Sequence, residues 1–541
     1  MRKIIFFGIA ILFSVSTYSQ KEETFYQQGR LYLEKDDIDN AIDSYTKAIK
    51  INNKHSKSYA DRGFCFYLKG DNNLAIENFT LAINLDDKNI LSLQLRAEIY
   101  FLERNYERSL IDYSRLVDLE PDDYEFLYKK GVSLFKIEKY SEAIDIFNKI
   151  IKKENLNFGS RYYLGLSYMY LNQIDNALAE FDKAITLNDT LPILYEGRAK
   201  AYKETNNYNK AYENYSRAAE LNPEDSEIFY QKALMSVALE NYERAIEEFS
   251  HAINLNPNFS EWYYNRAFAY QEAEQYKKAL NDFNKTIELE PEYALPYYHR
   301  ANVKSFLEDY HGALIDFNKS ISIDPTDIDF WFERGKTKIK LEDYEGAIED
   351  FNRAIEIDGS YIIIYKFRAD AFRYNENYLR ARDELDYIIE KDKDDLYSYY
   401  YRGLINRHLD NLEEALDDFN LIFNKDSSFK DIHLEKGITK LQMNDLNGAI
   451  EDFTKNIDSN PTNSYAFYNR AEAYFQMNEN AKALNDLNTA IEMTPDDGDY
   501  LYARALVHLE LKNQVDACND FRNAADLENE EAQNAVEEYC E

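Results

Sequence analysis

The 541-residue chain has little of what catalytic and metal centres are built from. Its seven histidines, His55, His251, His299, His311, His408, His433 and His508, are scattered and show no metal-ligand spacing. No Gly-x-x-x-x-Gly-Lys phosphate loop, His-Glu-x-x-His pair or Gly-x-Ser-x-Gly elbow occurs. No catalytic residue, cofactor or metal is therefore assigned, and the chain is not expected to be an enzyme. Gly/Ser linkers, low-complexity tracts and composition shifts are also missing, which argues against the three or four separate domains that length alone suggests. Basic residues are the minority, 63 against 99 acidic, for a formal charge of −36. Such a chain repels nucleic acid and anionic membrane surfaces, so neither is expected as a partner. The acidity either keeps a long surface soluble or attracts a basic partner. Long apolar runs are lacking except at the N-terminus, from Ile4 to Val15, which is shorter than the roughly 20 residues a spanning helix needs.

What the chain does have is a period of 34. Counted from Glu22, fifteen copies follow one another in a single phase to Glu531. The twentieth residue is alanine in every copy except Ser109, and the eighth is always glycine or alanine, as in Gly63, Ala97, Gly131 and Gly403. The twenty-fourth is aromatic except at Leu385 and Leu487. Small residues at two fixed places let paired antiparallel helices approach, and the aromatic fills the space beside that contact; overpacking there costs about 1–3 kcal/mol. Polar turns such as Glu308-Asp309-Tyr310 separate the two helices, and the second helix often ends before proline, as at Pro121, Pro223 and Pro325. A hairpin this small cannot bury its own apolar face, so the copies must stack.

The seventh residue is Arg or Lys in thirteen copies and the twenty-third Asp or Glu in eleven. Arg96/Asp112, Arg266/Asp282, Arg300/Asp316, Arg334/Asp350, Arg402/Asp418 and Arg470/Asp486 are examples. The pattern predicts a ladder of partly buried ion pairs that sets register and adds little net stability. Acid–base chemistry is the other reading of such pairs, but a catalytic site is rarely copied ten times.

This period, with these small and aromatic anchors, resembles the tetratricopeptide repeat. The resemblance implies an all-α, right-handed superhelical solenoid of about 15 tandem 34-residue helix-turn-helix repeats, continuous over residues 20–531. It also implies that first helices line a concave groove with their second, fifth, ninth, twelfth and thirteenth residues. From the second to the fifth repeat those positions carry an apolar strip: Phe64, Tyr67, Leu68, Phe101, Leu102, Val132, Phe135, Leu166, Met169 and Tyr170. It is either a binding patch for a helix or extended peptide or a set of side chains sunk between repeats. From the tenth to the twelfth they carry a basic set, Lys336, Lys340, Lys366, Arg373, Arg407 and His408, interspersed with Asp329 and Asp370. That set either makes a positive stretch for an acidic partner segment or is individually solvated. The lysine and asparagine pattern of carboxylate-clamp arrays is not present.

The ends are informative in a different way. Arg2-Lys3, the apolar run and Ser16-Thr17-Tyr18-Ser19-Gln20 read as a signal peptide over residues 1–19, cleaved after Ser19. No membrane insertion is expected after cleavage, and no cysteine follows the run to carry a lipid. The address implied is the periplasm or exterior of a Gram-negative bacterium. At the other end residues 532–541 form a capping helix. A turn near Glu528-Asn529 sets Cys518 and Cys540 at one height of an antiparallel pair, so a disulfide is available in an oxidising compartment. Cys65 faces inward and reads as an inert core thiol. Function is then expected on exposed surface: a non-catalytic scaffold binding protein or peptide segments in the groove. The alternative is an accessory subunit of an envelope secretion or outer-membrane assembly complex that uses its ends or convex face.

Overall fold

The computed structural model describes residues 20–429 and 431–540, and all regular structure in these residues is helical. The leader read over 1–19 lies outside them. First helices such as Ser56–Leu68 and second helices such as Asn72–Leu85 alternate through the chain, one pair per period.

Local chemistry explains each boundary. The fifteenth residue of every copy has positive φ, whether it is Asp36, Gly70, Arg104, Glu342 or Lys512. There the chain closes the first helix by returning N–H groups to its last carbonyls: Glu342 N–H reaches Ile339 O at 3.0 Å and Asp343 N–H reaches Lys338 O at 2.9 Å. The next residue is often Asp or Asn and caps the second helix; Asp343 Oδ1 accepts from Gly346 N–H at 3.0 Å and Asn105 Oδ1 from Arg108 N–H at 3.3 Å. Between repeats an Asx turn reverses the chain, as where Asp324 Oδ1 accepts from Thr326 N–H at 2.9 Å. That turn leaves its second residue without a required N–H bond, and Pro325 occupies it.

The hairpin core is as tight as the small residues require. Phe79, Phe147, Phe181, Phe351 and Phe419 have no exposed surface. A β-carbon built on Gly403 would lie 2.6 Å from the ring of Phe419, and one on Gly131 2.7 Å from that of Phe147. Glycine is therefore needed in these copies for space.

The chain divides into two compact units, up to Lys285 and from Thr286 onward. In the first, the core of repeats three to five joins Leu93, Leu116, Phe126, Leu134, Phe147 and Leu164. In the second, Phe351 and Ile364, Leu385 and Ile405, and Phe419 and Ile432 link successive repeats in the same manner. The chain closes with a helix, Glu530–Tyr539, packed on the second helix of repeat fifteen.

Candidate protein-binding face

The ion-pair ladder is present and does more than pair charges. Arg96 Nε and Nη2 donate to Asp112 at 2.8 and 2.7 Å, and Arg334 and Arg470 hold Asp350 and Asp486 in the same fork. Arg266/Asp282, Arg300/Asp316 and Arg402/Asp418 repeat it. The remaining nitrogen, Nη1, reaches back to the twenty-fifth residue of the preceding repeat: Arg96 to Thr80 at 2.8 Å, Arg334 to Asn318 at 2.8 Å, Arg470 to Thr454 at 3.0 Å. One guanidinium thus ties three helices, which a lysine ammonium cannot do with the same planar fork. The twenty-fifth position carries a short polar acceptor in nearly every copy, a signal present in the sequence and unused in reading it.

The opposite face of the first helices is the accessible one. In both units first helices of successive repeats touch, as between repeats four and five and between fourteen and fifteen, which puts this face on the inner side of each local stack. Exposed large aromatics gather on it and on the turns leading into it: Phe158, Tyr170, Tyr374, Tyr397 and Tyr465. The exposed large apolar residues of the second helices are instead aliphatic, such as Ile111, Ile315 and Val515.

The apolar strip is partly on this face. Leu68, Leu102 and Tyr170 are 50%, 64% and 59% exposed, while Phe64, Tyr67, Phe101, Leu166 and Met169 are half-buried. Val132 and Phe135 do not belong to it: at 3% and 8% exposure they are core. Phe135 is covered by Tyr163 of the next repeat, ring centroids 5.3 Å apart, and by Tyr140 and Tyr170. Val132 is too short to reach past the larger members of the same cluster.

Tetratricopeptide-repeat family patterns match residues 22–55, 194–225, 233–273, 260–293, 295–327, 328–361, 368–426 and 440–507. A further pattern, that of anaphase-promoting complex, cyclosome, subunit 3, matches 103–184. The chain belongs to the tetratricopeptide repeat family. No curated protein matches its sequence. Among solved structures it is similar to YrrB, a TPR protein with an unusual peptide-binding site, at 24% identity over 33% of this chain and 92% of that one, TM-score 0.31. It is also similar to the C-terminal part of a TPR repeat-containing protein from Cytophaga hutchinsonii, at 20% identity over 44% and 98%, TM-score 0.41. A tetratricopeptide repeat protein from Parabacteroides merdae matches at 21% identity over 48% and 99%, TM-score 0.35.

The tetratricopeptide fold suggests protein–protein interaction, and arrays of this family are generally non-catalytic scaffolds. The basic set does not form an open positive stretch in this array. Lys336 is held by Glu333 at 2.8 Å, Lys366 by Asp395 at 2.9 Å, Arg373 by Asp370 at 3.2 Å, and Arg407 by Glu435. His408 lies against the ring of Tyr378 at 4.1 Å. Lys340 is exposed at the end of its helix. Carboxylates from the same helix, the following turn and the next repeat neutralise Lys336, Lys366, Arg373 and Arg407 where they stand. Cys518 and Cys540 are joined by a disulfide, and Cys65 is a buried free thiol whose pKa is pushed up to about 12 by burial and then by Asp61. Among the described residues no helix is long and apolar enough to cross a membrane, and no three His, Cys, Asp or Glu are grouped to hold a metal ion.

Proposed function

We propose that this tetratricopeptide array is an exported, non-catalytic scaffold that binds protein or peptide segments along the face lined by its first helices. The observation that carries this reading is the placing of exposed large aromatics, which among the described residues lie on the first helices and the turns into them and not on the second helices of the repeats. Tyrosine and other aromatics bury large area at low entropic cost, and binding hot spots are enriched in them. The chain's acidity favours partners that are not nucleic acid. The leader-like start of the sequence and the Cys518–Cys540 bond favour an oxidising address, the periplasm or exterior of a Gram-negative bacterium.

The test is crosslinked affinity purification from native cells, comparing wild type with a Leu68→Ser/Leu102→Ser/Tyr170→Ser variant. All three are exposed, so helicity should not change; Phe135, being core, is unsuitable. Loss of discrete partners is expected. Retention of every partner would move function to the ends or the second-helix face, as in an accessory subunit of an envelope assembly. An alkaline phosphatase fusion at the C-terminus, active only where disulfides form, checks the address.

A further inference from the structure

Repeats three and fourteen carry the same pair of first-helix side chains, glutamate at the ninth position and phenylalanine at the twelfth: Glu98 and Phe101, Glu472 and Phe475. In repeat three the pair is occupied. Lys129, sixth residue of the next repeat, lies 4.4 Å from the centre of the Phe101 ring, with Nζ 3.0 Å from both Glu98 oxygens. Tyr113 donates its hydroxyl to Glu98 Oε2 at 2.7 Å. In repeat fourteen both donors have gone. The residue in the place of Lys129 is Ala503, and the one in the place of Tyr113 is Leu487.

What remains is a cavity of about 330 Å³ lined by Tyr468, Glu472, Phe475, Leu487, Tyr502 and Ala503, among others. It is at the small end of the roughly 300–1,000 Å³ of ligand pockets. Glu472 is the one charged residue in its lining. Its Oε1 accepts a long bond from Gln476 Nε2 at 3.3 Å. Desolvation by the groove walls pushes its pKa up, and the Gln476 amide draws it down. The nearest arginines of these two repeats are spent, Arg470 on Asp486 and Arg504 on Asp520. The tyrosine wall feels further negative charge: burial, then Glu472 and Asp499, push Tyr468 up to about 12.

We infer that this pocket accepts the lysine or arginine side chain of an extended partner segment, taking up from outside the cation that repeat three receives from Lys129. The inference rests on the first-helix binding reading above. The alkyl stem packs against Phe475 and Leu487, and the cationic head meets the aromatic faces and the Glu472 carboxylate. Repeat eleven shows the aromatic and carboxylate combination holding an arginine: Arg373 lies 4.3 Å from the ring of Tyr374 and 4.8 Å from that of Tyr401, paired with Asp370.

The test uses the full chain and a fluorescein-labelled peptide of alternating lysine and serine, read by anisotropy at near-physiological salt. Ala503→Lys restores the internal cation and is expected to lower affinity at least tenfold, as is Glu472→Gln. Glu492→Gln, the same charge change on the exposed surface of the repeat fourteen second helix, should alter it less than twofold. Acetylating the peptide lysines should abolish binding. Equal affinity of wild type, Ala503→Lys and Glu472→Gln would overturn the inference, as would absence of binding to wild type. Either result leaves the first-helix reading to be judged by the Leu68, Leu102 and Tyr170 variant. Unchanged helicity of Ala503→Lys ties the loss to occupancy.

Discussion

The ladder residues show why one buried carboxylate cannot be treated like another. In repeat thirteen lysine replaces the usual arginine at the seventh position, and Lys436 stands 4.0 Å from Asp452. The shortfall is made up by Lys440 Nζ at 2.5 Å and His433 Nδ1 at 2.8 Å. Asp452 is almost wholly buried. Burial alone would raise its pKa, but bonds from Lys440 and His433, with the Lys436 charge, hold the carboxyl below the ordinary carboxylate range. Asp452→Asn keeps the shape and leaves the Lys436 and Lys440 cations facing no anion, a loss of about 3–5 kcal/mol at neutral pH. The sign with pH follows from the depressed folded pKa. The contribution is fully present above the unfolded value near 3.9 and disappears as pH falls through the folded one. The difference in urea midpoint between wild type and Asp452→Asn should therefore be largest near pH 7 and shrink in acid. A difference independent of pH would mean that the carboxylate charge is not what the cluster needs.

At the scale of the hairpin, the elements and their packing were readable because they depend on repetition. The eighth, twentieth and twenty-fourth positions announce the helix contact, and the contact appears, with the ring of Phe351 where a β-carbon on Gly335 would fall. The face was less readable, because exposure at the ninth and twelfth positions depends on the bulk of the next repeat. Phe135 is buried by Tyr163, whereas Phe101, at the twelfth position one repeat earlier, is only half-buried. The neutral state of the basic set was hidden for a similar reason: Asp395 lies in an inter-repeat turn and Glu435 in the next first helix, outside the positions that define the groove. The turn conformation was also illegible. Glutamate and asparagine commonly occupy the left-handed fifteenth position, although that conformation costs an L-residue about 1–2 kcal/mol. Two substitutions of opposite sign test this. Glu342→Gly should be neutral or stabilise by up to about 1 kcal/mol, the relief being partly offset by unfolded-chain entropy. Gly70→Ala, at φ 76° with open space around the new methyl, should cost about 1 kcal/mol through conformation alone. Chemical denaturation of each variant reads both; a loss in Glu342→Gly would show that its side chain carries a role beyond the turn.

For the chain as a whole, stability is a sum of hairpins and nearest-neighbour contacts, so damage should stay local. The C-terminal end is where this can be measured. Its last helix, only ten residues long, packs chiefly on one neighbour, the second helix of repeat fifteen, and the Cys518–Cys540 bond closes that pair across 22 residues of sequence. Loop-closure entropy puts the worth of such a bond at about 3 kcal/mol. Without it, the short helix must hold itself by the burial of Ala532 and Ala535 and by partly buried neighbours such as Val536. That is little apolar area, so the helix should fray and uncover the ring of Phe521. Hydrogen exchange of a Cys518→Ser/Cys540→Ser variant should rise first in Glu530–Tyr539, then in Gln514–Asp526, with protection in the unit up to Lys285 unchanged. If reduction instead loosened the first unit equally, the array would be folding as one cooperative body, and the additive account of its repeats would be wrong.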